Sequence, residues 1–167
     1  MTVGDAGQKG GVDVFEFRTT ILGQSLKNVA SQRSIPIHSH LLSLGFKEYV
    51  RARKATGAVW LFEKRSPPES TKGAGAKLSQ HWTTTRTKKI AGLTPAATFH
   101  SFRNLVVQEL MEHRIDGYLI SQIVGHTDTS ITTGGYGKPV DVKQHREIME
   151  LLDFSNEVDA IKSLTSR

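Results

Sequence analysis

His100 and Arg103 stand three residues apart in Thr98-Phe-His-Ser-Phe-Arg103. Phe102, Leu105, Val106 and Leu110 follow with helical spacing, so Thr98 is read as the cap of a helix running to about Arg114. Positions i and i+3 share a face of such a helix, and both side chains can then address one anion. The planar fork of an arginine matches phosphate oxygens. Further on, Gly125-His126 ends a second predicted helix that Asp116 caps and that carries Leu119, Ile120 and Ile123. Gly125 has the position of a left-handed terminating residue, and His126 is presented on the sharp turn behind it. Tyr136 lies ten residues beyond His126, behind Gly134-Gly135, which leave the backbone free to swing a phenol toward a site. Singly, each residue has an ordinary explanation: a packed or surface histidine, an ion-pairing arginine, a helix cap, a loop aromatic. Their order and spacing together point to phosphate chemistry.

The elements that must position these groups read as strands first and helices afterwards. Val12-Asp-Val-Phe-Glu-Phe-Arg18 is β-prone, although its alternation slips between Val14 and Phe15, and Ser34-Ile-Pro-Ile-His38 alternates cleanly. Pro36 places the second run on an edge or at a strand end. A polar link containing Gly23, Lys27 and Asn28 joins them, the pattern of a hairpin or meander. Ser39 to about Arg53 reads as one helix capped by Ser39, with Gly45 a mild cost inside it. Ala58–Phe62 is a short strand or loop, and the segment from Lys64 to Lys77, with Pro67-Pro68, Gly73 and Gly75, is a loop. Leu78–Ile90 reads as a helix closed by Gly92, and a polar stretch runs from Thr127 to Gly135. Asp141–Leu152 is helical, with a short last helix over Glu157–Leu164. The expectation is an α+β fold: a mostly helical domain with a small antiparallel β-sheet near its N-terminus. Residues 1–11 are expected to be frayed, 12–154 to form the domain and 155–167 a tail.

Composition sets wider bounds. The chain has 167 residues, 37% of them hydrophobic, enough for one domain with a buried core. It contains no cysteine, which excludes disulfides, thiolate metal sites and a cysteine nucleophile. No apolar run approaches the roughly 18 residues of a membrane span, and the N-terminus lacks the features of a signal peptide. The formal charge of +6 favours a polyanionic partner, nucleic acid before a membrane surface. Lys and Arg are scattered, however, which is also how a plain solvated surface looks.

Thr98-Phe-His-Ser-Phe-Arg103, then Ile123-Val-Gly-His126, then Tyr136-Gly-Lys138 resemble, in order, the H-x-x-R, L-G-H and Y signatures of the tyrosine recombinases of the phage-integrase family. The gap between His126 and Tyr136 is about one residue longer than in many members. Ser25-Leu-Lys27-Asn-Val-Ala-Ser-Gln-Arg-Ser-Ile-Pro-Ile-His38 resembles the hairpin in which these enzymes carry a lysine, and Leu41–Val50 resembles the helix that follows. The resemblance covers residues 12 to 154. It implies an enzyme for site-specific DNA recombination and integration, with Tyr136 as the nucleophile that forms a 3′-phosphotyrosyl link. Arg103 and His126 would hold the non-bridging phosphate oxygens, His100 would assist with the proton or the phosphate, and Lys27 would be the general acid. A phenol, with a pKa of about 10, needs such neighbours to react at neutral pH. Lys138 reads as a DNA-backbone contact or a surface charge. Because bond energy is kept in the phosphotyrosine, no metal, nucleotide or other cofactor is implied. The implied partners are double-stranded DNA and further copies of the chain in a tetrameric synapse, in the cytoplasm of a bacterium or a phage host.

The pattern breaks in two places. The family carries another arginine on a helix ahead of the hairpin, in a G-x-R-x-x-E setting, and no such motif occurs here. Arg18 is the only arginine before the hairpin link, and Thr2-Val-Gly-Asp resembles the segment that normally follows the motif. The separate N-terminal DNA-clamping domain is missing as well. The expectation is a partial protein that alone recombines DNA weakly or not at all, since one phosphate-binding arginine contributes several kcal/mol. After Arg103 the family commonly continues His-Thr, where Asn104-Leu105 stand here. The competing readings are a non-catalytic DNA-binding remnant of an integrase and a generic basic α+β domain that binds RNA or protein. RNA-binding aromatic signatures are not evident. Val142, Ile148, Leu151 and Leu152 give the last long helix an apolar stripe, directed either at its own core or at a neighbouring protomer.

Overall fold

Val14 and Phe15 are consecutive apolar residues on one strand, so their side chains leave opposite faces of the sheet. Both faces are covered. Val14 is fully buried and packs with Val12 and Val142, while the Phe15 ring meets Phe46 edge-on at 5.3 Å. The slip in alternation that the sequence shows at this point therefore marks a strand sandwiched between helices.

The computed structural model describes residues 1–18, 32–62, 79–84, 98–125 and 141–165. Its antiparallel sheet has the order β1 (Ala6–Lys9), β2 (Val12–Phe17), β3 (Arg33–Pro36). Val14 pairs with Pro36 and Phe17 with Arg33. β3 is thus an edge strand that ends at its proline, as expected for a residue with no N–H to donate. The link between β2 and β3, which holds Lys27, lies outside the described residues, as do residues 63–78, 85–97 and 126–140.

Residues 1–11, expected to fray, instead form a 3₁₀ turn (Val3–Asp5) and strand β1. The reason is a set of anchors invisible to composition. The buried Asp5 carboxylate accepts from Thr2 N–H at 2.6 Å, Val3 N–H donates to Val59 O, and Thr2 bridges Trp60. The 58–61 stretch, read as strand or loop, is the partner that holds the N-terminus, with Leu61 fully buried between them.

The helix expected over 39–53 is two helices, α1 (Ser39–Ser43) and α2 (Phe46–Ala55). Gly45 separates them in the left-handed region at φ 82°, a conformation that glycine adopts without a Cβ penalty. The cap is His38 rather than Ser39: its Nδ1 accepts from His40 N–H at 3.1 Å. Ser39 instead donates to Glu150 through both N–H and hydroxyl.

Residues 79–84 are helical (α3). Then come α4 (Ser101–Glu112), α5 (Gly117–Val124), α6 (Val142–Met149) and α7 (Ser155–Thr165). Asp116 caps α5, as read from the sequence, by accepting from Tyr118 N–H at 2.8 Å, and Asp141, read as the first residue of a helix, is the cap of α6. Leu110, Ile120, Ile123, Val124, Ile148 and Leu152 form the main helical core, with Ile35 of β3 against it. Of the apolar stripe on α6 and beyond, Val142, Ile148 and Leu152 are buried in this chain, while Leu151 stays exposed. Among the described residues, no helix is long and apolar enough to cross a membrane.

Candidate DNA-phosphate site

The N-terminus of α4 is built by a tight local exchange. Ser101 N–H donates to Thr98 O at 3.0 Å, and the Ser101 hydroxyl accepts from Thr98 N–H at 3.0 Å. His100 sits at the N-cap with helical dihedrals, and its carbonyl accepts from Arg103 N–H at 3.0 Å. His100 and Arg103 therefore occupy one turn, as the spacing predicts. His100 is exposed and Arg103 is half-buried. The first turn of α4 holds no acidic residue, so its unpaired N–H groups and positive dipole end are not neutralised from within the helix. The Arg103 Nε is buried and has no hydrogen-bond partner among the described residues. A buried donor without a partner carries a desolvation cost that an incoming anion would relieve.

The end of α5 is closed by Gly125. Gly125 takes φ 69° and ψ 44°, and its N–H donates to Ser121 O at 2.8 Å. This is the left-handed terminus expected of it. A Cβ at Gly125 would meet the guanidinium of Arg33, the far end of a flexible side chain, which would have to shift. Arg33 reaches this point from the start of β3. Its Nε donates to Ile123 O at 3.2 Å, and its guanidinium stacks 4.6 Å from the centroid of the Phe17 ring. Burial first, and the charge of Arg103 second, hold the Arg33 guanidinium below its ordinary pKa. Arginine titrates so high that it stays charged regardless.

Two of the five residues singled out from the sequence, His100 and Arg103, are thus brought together on α4. His126, Tyr136 and Lys27 lie outside the described residues, and so does Lys138. Arg33 was not singled out from the sequence. A basic residue opening an edge strand looks like ordinary edge protection, and no local pattern announces a contact with Ile123, 90 positions away. Arg18, the only arginine ahead of the hairpin link, is engaged elsewhere: it pairs with Asp5 at 3.4 Å and Glu16 at 3.1 Å and donates to Gly4 O. Among the described residues, no group of three or more histidines and carboxylates is placed to hold a metal ion.

The model of the phage integrase family matches residues 10–141, most of the chain. The chain belongs to the phage integrase family. Its class of chemistry is site-specific DNA recombination by a tyrosine recombinase, and DNA is the substrate typical of that class. The α+β architecture agrees with membership. No curated protein and no solved structure matches the chain.

Proposed function

We propose that this chain cleaves and rejoins double-stranded DNA through Tyr136, within a catalytic domain spanning 12–154. The phenolate oxygen of Tyr136 attacks the scissile phosphorus, the P–O5′ bond breaks, and the leaving 5′-oxygen takes a proton from Lys27. A 5′-hydroxyl then attacks the 3′-phosphotyrosine, reseals the strand and frees the tyrosine. Arg103 and His126 neutralise the non-bridging oxygens as charge builds on them, and His100 assists from the same turn as Arg103. Such preorganised donors are worth about 10²–10³ in rate each. Neither metal nor nucleotide enters the cycle, and several copies of the chain act together on paired sites.

The observation that supports this most directly is Arg103. Its guanidinium is half-buried at an unneutralised helix N-terminus, one turn from His100, with Nε unpaired among the described residues. The sequence carries no G-x-R-x-x-E motif, so we further propose that cleavage by this chain alone is slow. A pool of duplexes, nicked near the centre and randomised around the nick, tests the reading. Release of the short fragment traps any adduct. The expected result is a low yield of covalent protein–DNA complex that Tyr136→Phe eliminates. Salt-sensitive DNA binding with no complex at any incubation time would leave only a DNA-binding module.

A further inference from the structure

Phe99 and Phe102 are 42% and 46% exposed, and Leu105, one turn further along α4, is 55% exposed. The two phenylalanines form part of a cluster. Their rings meet edge-on at 5.7 Å, and Trp82 of α3 packs edge-on against Phe102 at 4.7 Å. Edge-to-face contacts set the rings at steep angles to one another, and the exposed rings keep surface open to solvent. Contiguous exposed apolar surface of this kind marks a binding site more often than an isolated leucine does. Each exposed ring also stands beside a residue of the candidate phosphate site. Phe99 directly precedes His100, and Phe102 directly precedes Arg103. The first turn of α4 holds no acidic residue to repel a polyanion.

We propose that Trp82, Phe99 and Phe102 form a stacking platform for an unpaired base of DNA, next to the phosphate site of His100 and Arg103. An aromatic residue alternates with a phosphate-seeking one twice in four positions, and a nucleotide offers the matching pair, a flat π-face and an anion. The base must be unpaired, because in a duplex its faces are covered by its neighbours in the stack. Stacking on aromatic side chains beside a positively charged track is the general means of holding single strands without reading their sequence. The assignment rests on the reading of His100 and Arg103 as groups that address DNA phosphate, and deepens it. The strand that gives up its 5′-oxygen is free of its old partner until it pairs with a new one, and the platform holds its bases in that interval.

Two oligodeoxynucleotides of one length test this, one of thymidines and one in which an abasic tetrahydrofuran unit replaces every nucleoside. Both carry the same phosphates. Anisotropy of labelled strands with the full chain gives the affinity ratio. The thymidine strand is expected to bind about tenfold more tightly than the abasic one. Trp60→Phe leaves Trp82 as the only indole, and Trp60 makes its bridge to Thr2 and its bond from Arg53 through the backbone. In that variant the thymidine strand is expected to quench Trp82 fluorescence, and the abasic strand is not. Phe99→Ala is expected to erase the advantage of the thymidine strand. Equal affinity for the two strands, or a Trp82 signal that ignores the bases, overturns the assignment. Base-independent binding together with self-association that Phe99→Ala abolishes gives the patch to a second copy of the chain, and overturns it too. The affinity ratio of the unsubstituted chain decides the matter even if a variant fails to fold. A tenfold preference for bases without a Tyr136 adduct would sink the recombinase reading and leave the platform standing; an adduct without the preference would do the reverse.

Discussion

An arginine at the third position of a helix and a histidine at its N-cap put their functional groups where the helix is already electropositive. Arg103 and His100 have this relation, and it was legible in the sequence because three-residue spacing has one structural meaning once the run behind it is helical. Replacing Arg103 by alanine is expected to lower the rate of covalent-complex formation by about 10²–10³, with duplex binding reduced less than the rate. Single-turnover trapping beside an equilibrium binding titration separates the two. A proportional loss in both would make Arg103 a binding contact only. Arg33 was not legible, because its meaning depends on Phe17, Ile123 and Gly125 meeting across the sheet and α5. Such contacts carry no sequence period.

At the scale of elements, the caps were read unevenly: Asp116 and Gly125 hold the positions expected of them, whereas His38 and His100 take the N-cap positions expected of Ser39 and Thr98. Asp116 and Asp141 both accept from the first turn of the helix behind them, and Gly125 terminates α5 in the left-handed region. Asp116→Ala should cost about 1 kcal/mol of stability, measurable as a shift in the denaturant midpoint with unchanged slope. Gly125→Ala should cost about 1–2 kcal/mol from the left-handed dihedral. The break at Gly45 was harder to see. A glycine inside a helical pattern is ordinarily tolerated at a small cost, and only the turn that brings Phe46 over Phe15 reveals why the chain bends there.

Across the whole molecule, the sheet is a wedge between two packed clusters, one led by Val3, Phe46 and Leu61 and the other by Leu110, Ile123 and Ile148. The α+β plan followed from the order of the patterns. The role of the N-terminus did not, because Gly-rich composition conceals the buried Asp5 and its bonds. α6 closes the second cluster and carries His145, which is buried with no hydrogen-bond partner for Nε2 among the described residues. Burial pushes the His145 imidazole below its ordinary pKa, and Asp141 opposes this only in part. The folded state therefore binds the proton less readily than the unfolded chain. The stabilising contribution is present above the ordinary imidazole value of about 6.5 and is lost as pH falls below it toward the lower folded value. His145→Gln should flatten the dependence of melting temperature on pH between about 7.5 and about 5.5. A wild-type slope in the variant would place the proton-sensitive group elsewhere.

All three scales meet in the assignment of Tyr136 as the nucleophile, with Arg103 and its neighbours serving the phosphate it attacks. Mass spectrometry of the trapped and nuclease-trimmed complex tests that claim most directly. The account predicts a nucleotide 3′-phosphate esterified to the Tyr136 phenol. A covalent link to any other residue, or no link after exhaustive incubation with the randomised duplexes, would contradict it.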